Sequence, residues 1–208
     1  MNGIHQLSKL GAIGRRKFLG VAALGSVSTS LGLSLALDTQ AAEPATTAGL
    51  ADTGLQQLDH SVYMRRAIVQ AHQNPRQPFG AVIVKANDGS VVAEGYNRTP
   101  INPTYHGEID AIDQYAGKHP GADWSGLVLY TTCEPCPMCQ SAAMWAGIRA
   151  VVFGTSMPFI AQLGWWQIAI RAEEVIKRTS FRRCTLIGGI LEPECNALFE
   201  AALRLGAT

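Results

Sequence analysis

Two short clusters of metal-ligating side chains constrain this chain more than any other feature. His106-Gly107-Glu108 and Pro135-Cys136-Pro137-Met138-Cys139 are separated in sequence, and a fold that uses them must bring them together. Cys136 and Cys139 are three residues apart, so at the start of a helix their sulfurs point to one side and can share an ion. The positive end of a helix and a bound cation both favour thiolate over thiol. Two thiolates and one imidazole give a tetrahedral zinc ion three protein ligands and leave its fourth position for water. That is the catalytic pattern, whereas structural zinc sites are closed by four protein ligands. Glu108, two residues past the histidine, can then hold and transfer protons without being a ligand.

The surrounding pattern places both clusters at helix starts. Apolar spacing predicts a first helix within Leu55 to Asn74. Strands Ala81 to Lys85 and Val91 to Tyr96 flank Asn87-Asp88-Gly89-Ser90, whose Asp-Gly pair suits a tight hairpin turn. A second helix runs from His106 to Tyr115. A strand at Leu127 to Thr131 leads through a Pro-rich turn to a third helix, Met138 to Ala146. Then follow a strand at Ala150 to Phe153, a helical crossover including Gln167 to Arg178, a strand at Cys184 to Ile190 and a closing helix at Asn196 to Leu205. A hairpin followed by strands alternating with helices predicts an α/β fold with a five-stranded mixed sheet, helices on both faces and the last three strands parallel.

The N-terminus reads differently. Gly14-Arg15-Arg16-Lys17-Phe18-Leu19 precedes an apolar run to Leu37 that is diluted by glycine and serine, with small residues at Thr39, Ala41 and Ala42. This is the layout of a twin-arginine export signal, so residues 1–42 are expected to engage the twin-arginine machinery and to direct the protein to the periplasm or beyond. Residues 43–54 read as a flexible lead and residues 55–208 as one domain, since 208 residues with 47% hydrophobic composition suit one core rather than two. Without residues 1–42 the chain loses four of its 17 basic and one of its 16 acidic residues, leaving a formal charge of about −2. Nothing here supplies the basic surface that nucleic-acid backbones require, so no nucleic-acid partner is expected.

Either cluster alone is weak evidence: His-x-Glu is commonly a surface helix start, and Cys-x-x-Cys can be a redox pair or half of a structural site. In this order they form the H-x-E and P-C-x-x-C signature of zinc deaminases. The chain resembles the cytidine deaminase superfamily, and within it the branch of bacterial guanine deaminases and tRNA adenosine deaminases. The resemblance spans Leu55 to Leu205 and is carried by Pro78-Phe79-Gly80-Ala81, Asn97, Asn102-Pro103-Thr104-Tyr105-His106-Gly107-Glu108 and Tyr130-Thr131-Thr132-Cys133-Glu134-Pro135-Cys136-Pro137-Met138-Cys139. The last run looks more like the guanine deaminases than the tRNA enzymes.

The resemblance implies a three-layer α/β/α cytidine deaminase-like fold. It implies hydrolytic removal of an amino group from a small nucleobase or nucleoside, guanine-like first, with water as co-substrate and ammonia released. On this reading His106, Cys136 and Cys139 bind Zn²⁺, Glu108 is catalytic, Asn97 hydrogen-bonds the substrate, Phe79 lines the pocket and the Gly107 backbone contacts the substrate. A homodimer is also implied. Without the resemblance Asn97 is a turn residue and Phe79 a core residue. The family's usual residue at position 107 is Ala, so Gly107 departs from the pattern. The rival readings are a tRNA adenosine deaminase, a non-catalytic zinc-binding module and a thiol-disulfide oxidoreductase.

Three further features have plain readings. Cys133 continues the cysteine spacing backwards but is expected to face the core. Cys184 and Cys195 are expected to be free, because the last strand separates them beyond bridging distance. Trp165 and Trp166 lie where the family places substrate-selecting elements and read equally as a pocket lid or as packing.

Overall fold

The computed structural model describes residues 54–181 and 184–207. The export signal expected at 1–42 and nearly all of the expected lead at 43–54 lie outside the described residues. The sheet has five strands in the order β2-β1-β3-β4-β5: β1 (Gly80–Lys85), β2 (Val91–Tyr96), β3 (Leu127–Cys133), β4 (Ala150–Thr155) and β5 (Thr185–Ile187). β1 runs antiparallel to both β2 and β3, while β3, β4 and β5 are mutually parallel. Val82 faces Tyr130 across one ladder and Leu129 faces Val151 across the next.

Strand chemistry explains the layering. β3 and β4 are buried at every position, as expected of strands covered on both faces. Alternate side chains divide between two cores. Ala81, Ile83, Leu127, Leu129 and Val151 pack on one face with Ala111, Tyr115, Ala143 and Met144. These partners come from α2 (Gly107–Lys118) and α3 (Pro137–Ala146). Val82, Val84, Val128, Tyr130 and Val152 pack on the other face with Met64, Ala67 and Cys195, from α1 (His60–Ala71) and α6 (Glu192–Arg204). This is the three-layer arrangement expected. At the hairpin turn Gly89 takes φ +70°, the conformation for which the Asp-Gly pair was read.

Several boundaries differ from those expected. Residues 54–57 form a helical turn, as expected from Leu55 onward, but the helix breaks at Leu58-Asp59, and α1 begins at His60, where the Asp59 side chain accepts from the Ser61 amide (3.0 Å) and caps it; Leu55 enters the core beneath it. The crossover after β4 holds two short helices. α4 (Met157–Gln162) is capped by Ser156 and carries Pro158 in its first turn, a start signal available in the sequence. α5 (Ala172–Lys177) follows, so Gln167 to Arg171 are not helical. β5 has three residues rather than seven. The chain turns out of it through Leu191, the one described non-glycine residue with positive φ (54°), and α6 then starts early at Glu192-Pro193.

Cys184 packs in the first core and Cys195 in the second. The sheet lies between them, and both are free thiols.

Candidate active site

The two ligand clusters meet beyond the carboxyl end of β3. His106 and Cys136 occupy the residues just before α2 and α3, both with extended backbone, and neither side chain caps its own helix. A Ser, Thr, Asp or Asn there would be engaged by the first free amides; imidazole and thiol are left to point elsewhere. Cys139 lies in the first turn of α3 and is buried. His106 Nδ1 is 3.7 Å from Cys136 Sγ and 3.5 Å from Cys139 Sγ, and the two sulfurs are 3.6 Å apart.

That triangle fits zinc. A tetrahedral ion about 2.3 Å from sulfur and about 2.0 to 2.1 Å from nitrogen spaces its ligands about 3.8 Å sulfur to sulfur and about 3.6 Å sulfur to nitrogen. Among the described residues this is the one group of three or more His, Cys, Asp or Glu side chains whose ligand atoms converge. Cys136 is pulled down to about 4, chiefly by its hydrogen-bonded neighbour Cys139 and also by the His106 ring. Cys139 is pushed well up by its neighbour Cys136 and by burial. Cys133 lies apart from this group, in a third core cluster with Ile160, Leu198 and Phe199, and burial pushes its thiol well up.

Glu108 sits in the first turn of α2, only 3% exposed. Thr131 Oγ1, from β3, donates to its Oε1 (3.0 Å), and its Oε2 is buried with no partner. Burial pushes the Glu108 carboxyl up, His106 pulls it down, and Cys136 adds to the rise. Composition gave no hint of Thr131, because its role depends on the register that sets β3 beside α2.

A cavity of about 530 Å³ opens over the ligand group, with Phe79, Asn97, His106, Cys136, Trp165 and Trp166 among its lining residues. Phe79 stands between site and core: its ring stacks near His106 (18° between planes) and meets the edges of Trp165 and Phe199. Asn97 is 3% exposed. Its Oδ1 accepts from the Thr99 amide (3.1 Å), which fixes the amide orientation and leaves Nδ2 to donate elsewhere. Gly107 is not part of the cavity wall. It packs against the Phe79 backbone, where an added Cβ would lie 2.5 Å from the carbonyl oxygen. That close approach accounts for glycine where the family's usual residue is Ala.

Glu134 was quoted above only as part of a motif, yet it ties three segments together. Its buried carboxylate accepts from the Met157 amide (3.0 Å), the Ala172 amide (3.1 Å) and Arg171 Nε (2.7 and 2.8 Å). The loop that presents Cys136 is thereby fixed to the starts of α4 and α5. Trp165 is core and wall at once, whereas Trp166 is 92% exposed at the cavity.

Comparison with known proteins agrees with this geometry. Residues 57–155 match the cytidine and deoxycytidylate deaminase zinc-binding region. A guanine deaminase of Bacillus subtilis (strain 168) is 37% identical over 113 residues, covering 51% of this chain and 71% of that protein. A tRNA-specific adenosine deaminase of the same organism is 31% identical over 150 residues, covering 69% of this chain and 88% of that protein. Among solved structures, a guanine deaminase from Nitrosomonas europaea superposes with a TM-score of 0.61 at 25% identity, covering 69% of this chain and 84% of the other. With the ligand triangle, the buried carboxylate and the sheet order in agreement with this likeness, the chain belongs to the cytidine and deoxycytidylate deaminase family of zinc-binding proteins.

Proposed function

We propose that the protein hydrolytically deaminates a nucleobase or nucleoside, with a guanine-like base as the preferred substrate. The observation that carries this reading is Glu108 Oε2, a buried carboxylate oxygen without a partner beside a three-ligand metal site. His106, Cys136 and Cys139 hold the zinc, which when bound lowers the pKa of its water towards about 7 and so supplies hydroxide at neutral pH. Glu108 takes the two protons of the attacking water one after the other on Oε2 while Thr131 holds Oε1 in place, passing the first to the ring nitrogen and the second to the departing amine. Burial favours the protonated carboxyl, which suits a group that must give its proton back. Asn97 Nδ2 is free to donate to the base, and Phe79 bounds the pocket beside His106.

A non-catalytic zinc module has no use for a buried carboxylate with an unpaired oxygen, and a redox pair needs only its two sulfurs, whereas here His106 Nδ1 lies within 3.7 Å of both and completes a set of three metal ligands. The guanine-like preference over a tRNA substrate is supported by the motif run from Thr131 to Cys139, by the likeness to guanine deaminases and by the formal charge of about −2 outside residues 1–42. Export by the twin-arginine route is part of the same proposal and is supported by Arg15-Arg16 and the run that follows. A homodimer is proposed from family likeness. The deciding experiment is a screen of zinc-loaded protein for ammonia release from aminated purines, pyrimidines, their nucleosides and tRNA. Release from guanine or a close analogue is the expected result; release from tRNA alone overturns the preference, and release from none overturns the activity.

A further inference from the structure

Between α4 and α5 the chain crosses the cavity wall as an irregular segment, Trp165 to Arg171, bent at Ala169, where the Ile170 amide donates to the Ile168 carbonyl (2.7 Å). Both of its ends are fixed. The Trp165 amide donates to the Ile160 carbonyl (3.0 Å) and its indole meets Phe79 and Phe199 edge-on, while Arg171 is clamped to Glu134. In between, the amides of Trp166, Gln167, Ile168 and Ala169 donate to no backbone carbonyl among the described residues. Trp165, Gln167, Ala169 and Arg171 line a small cavity of about 190 Å³, and Trp165 and Gln167 also line the larger one over the ligand group. Trp166, Ile168 and Ile170 turn outward, 92%, 63% and 40% exposed.

Trp166 and Ile168 nevertheless belong to the wall of the cavity that holds His106 and Cys136. A nearly bare indole at the rim of that cavity keeps a large apolar face in water, and a flat ring laid against it removes both faces from water. Resting on the deaminase reading above, we infer that Trp166 is the specificity-determining residue of the site. Its indole covers one face of the bound base and favours planar bicyclic aminated heterocycles over monocyclic ones. The reason is overlap: a bicyclic indole stacks over a bicycle with its full face and over a monocycle with only part of it. Trp165 cannot take this role, because Phe79 and Phe199 hold its ring in the core.

Trp166 is exposed enough to be replaced without disturbing the core, so Trp166→Ala and Trp166→Phe are direct tests. The measurement is calorimetric binding of unsubstituted purine and pyrimidine, which have no amine to lose, to zinc-loaded wild type and variants. Stacking of a base on an aromatic side chain is worth about 5- to 150-fold in affinity. Trp166→Ala should weaken purine binding by that factor and pyrimidine binding by clearly less, and Trp166→Phe should recover most of the loss. In turnover assays the alanine variant should raise KM for a bicyclic substrate with kcat little changed. The inference is overturned if wild type shows no preference for purine, if purine affinity stays within twofold in Trp166→Ala, or if purine and pyrimidine weaken equally. It is also overturned if light scattering shows that the substitution alters subunit number in place of affinity. Purine binding that depends on Trp166, with no ammonia released from any aminated base, would leave this inference standing and remove the deaminase reading instead.

Discussion

Replacing Gly107 by Ala tests how tightly the site is set against its scaffold. The added Cβ would lie 2.5 Å from the Phe79 carbonyl oxygen and 3.1 Å from its carbon, about 0.9 Å short of ordinary contact at the oxygen. Both partners are backbone, so the start of α2 or the strand entry at Phe79 has to move. Overpacking of this kind costs about 1 to 3 kcal/mol, against which alanine's better helix propensity returns at most about 1 kcal/mol. The net loss of up to about 2 kcal/mol corresponds to a Tm lower by a few degrees in a domain of this size. Turnover should fall further, because the shift carries His106 and Glu108 with it. Misplacement by about 1 Å can cost about 100-fold in rate. The assay compares the melting temperature, zinc content and kcat of zinc-loaded Gly107→Ala with wild type. A variant that is as stable as wild type and retains turnover within about threefold refutes the close-packing argument.

Cys136→Ala should lose zinc and activity together, and elemental analysis showing one zinc per chain in the variant would overturn the ligand assignment. Glu108→Ala should keep its zinc and lose about 10²- to 10⁴-fold in turnover, so a loss under tenfold removes its role in proton transfer. His60 is held below its ordinary value of 6.5 by burial against Tyr130. The unfolded chain therefore binds that proton first, and stability present above pH 6.5 is lost as pH falls. Denaturant melts from pH 7.5 to 5 should show a shallower loss in His60→Gln than in wild type, and identical slopes would show that His60 does not contribute. Replacing Arg15 and Arg16 by Lys should leave active, zinc-loaded precursor in the host cytoplasm, whereas fractionation showing unchanged export would rule out the twin-arginine route.

Much of the fold was legible because central strands covered on both faces read as unbroken apolar runs, as β3 and β4 do, and because the Asp-Gly turn marks the hairpin. The metal group was legible because its chemistry admits few residue types and both clusters stand at helix starts. The failures were local. Apolar spacing continues through Asp59, so only the side-chain cap reveals the break between the helical turn at 54–57 and α1, and the brevity of β5 depends on the turn at Leu191. Thr131 and Glu134 stood in the motif without a role for a different reason: each acts through a partner distant in sequence, Glu108 in one case and Arg171 in the other. Trp165 and Trp166 could not be told apart in sequence, since what separates them is tertiary: one is wedged among Phe79 and Phe199 and its neighbour stands almost fully exposed at the cavity rim.

The clamp between Glu134 and Arg171 has an evolutionary consequence. It ends the segment 165–170 at a fixed point on the loop that carries Cys136, and the middle of that segment shares no ladder hydrogen bonds with the sheet. Such a segment behaves as an interchangeable cassette. Its outward side chains can be exchanged for others while the ligand triangle and the Glu108–Thr131 pair stay where they are, so new substrates become accessible to descendants of this chain without the chemistry being rebuilt.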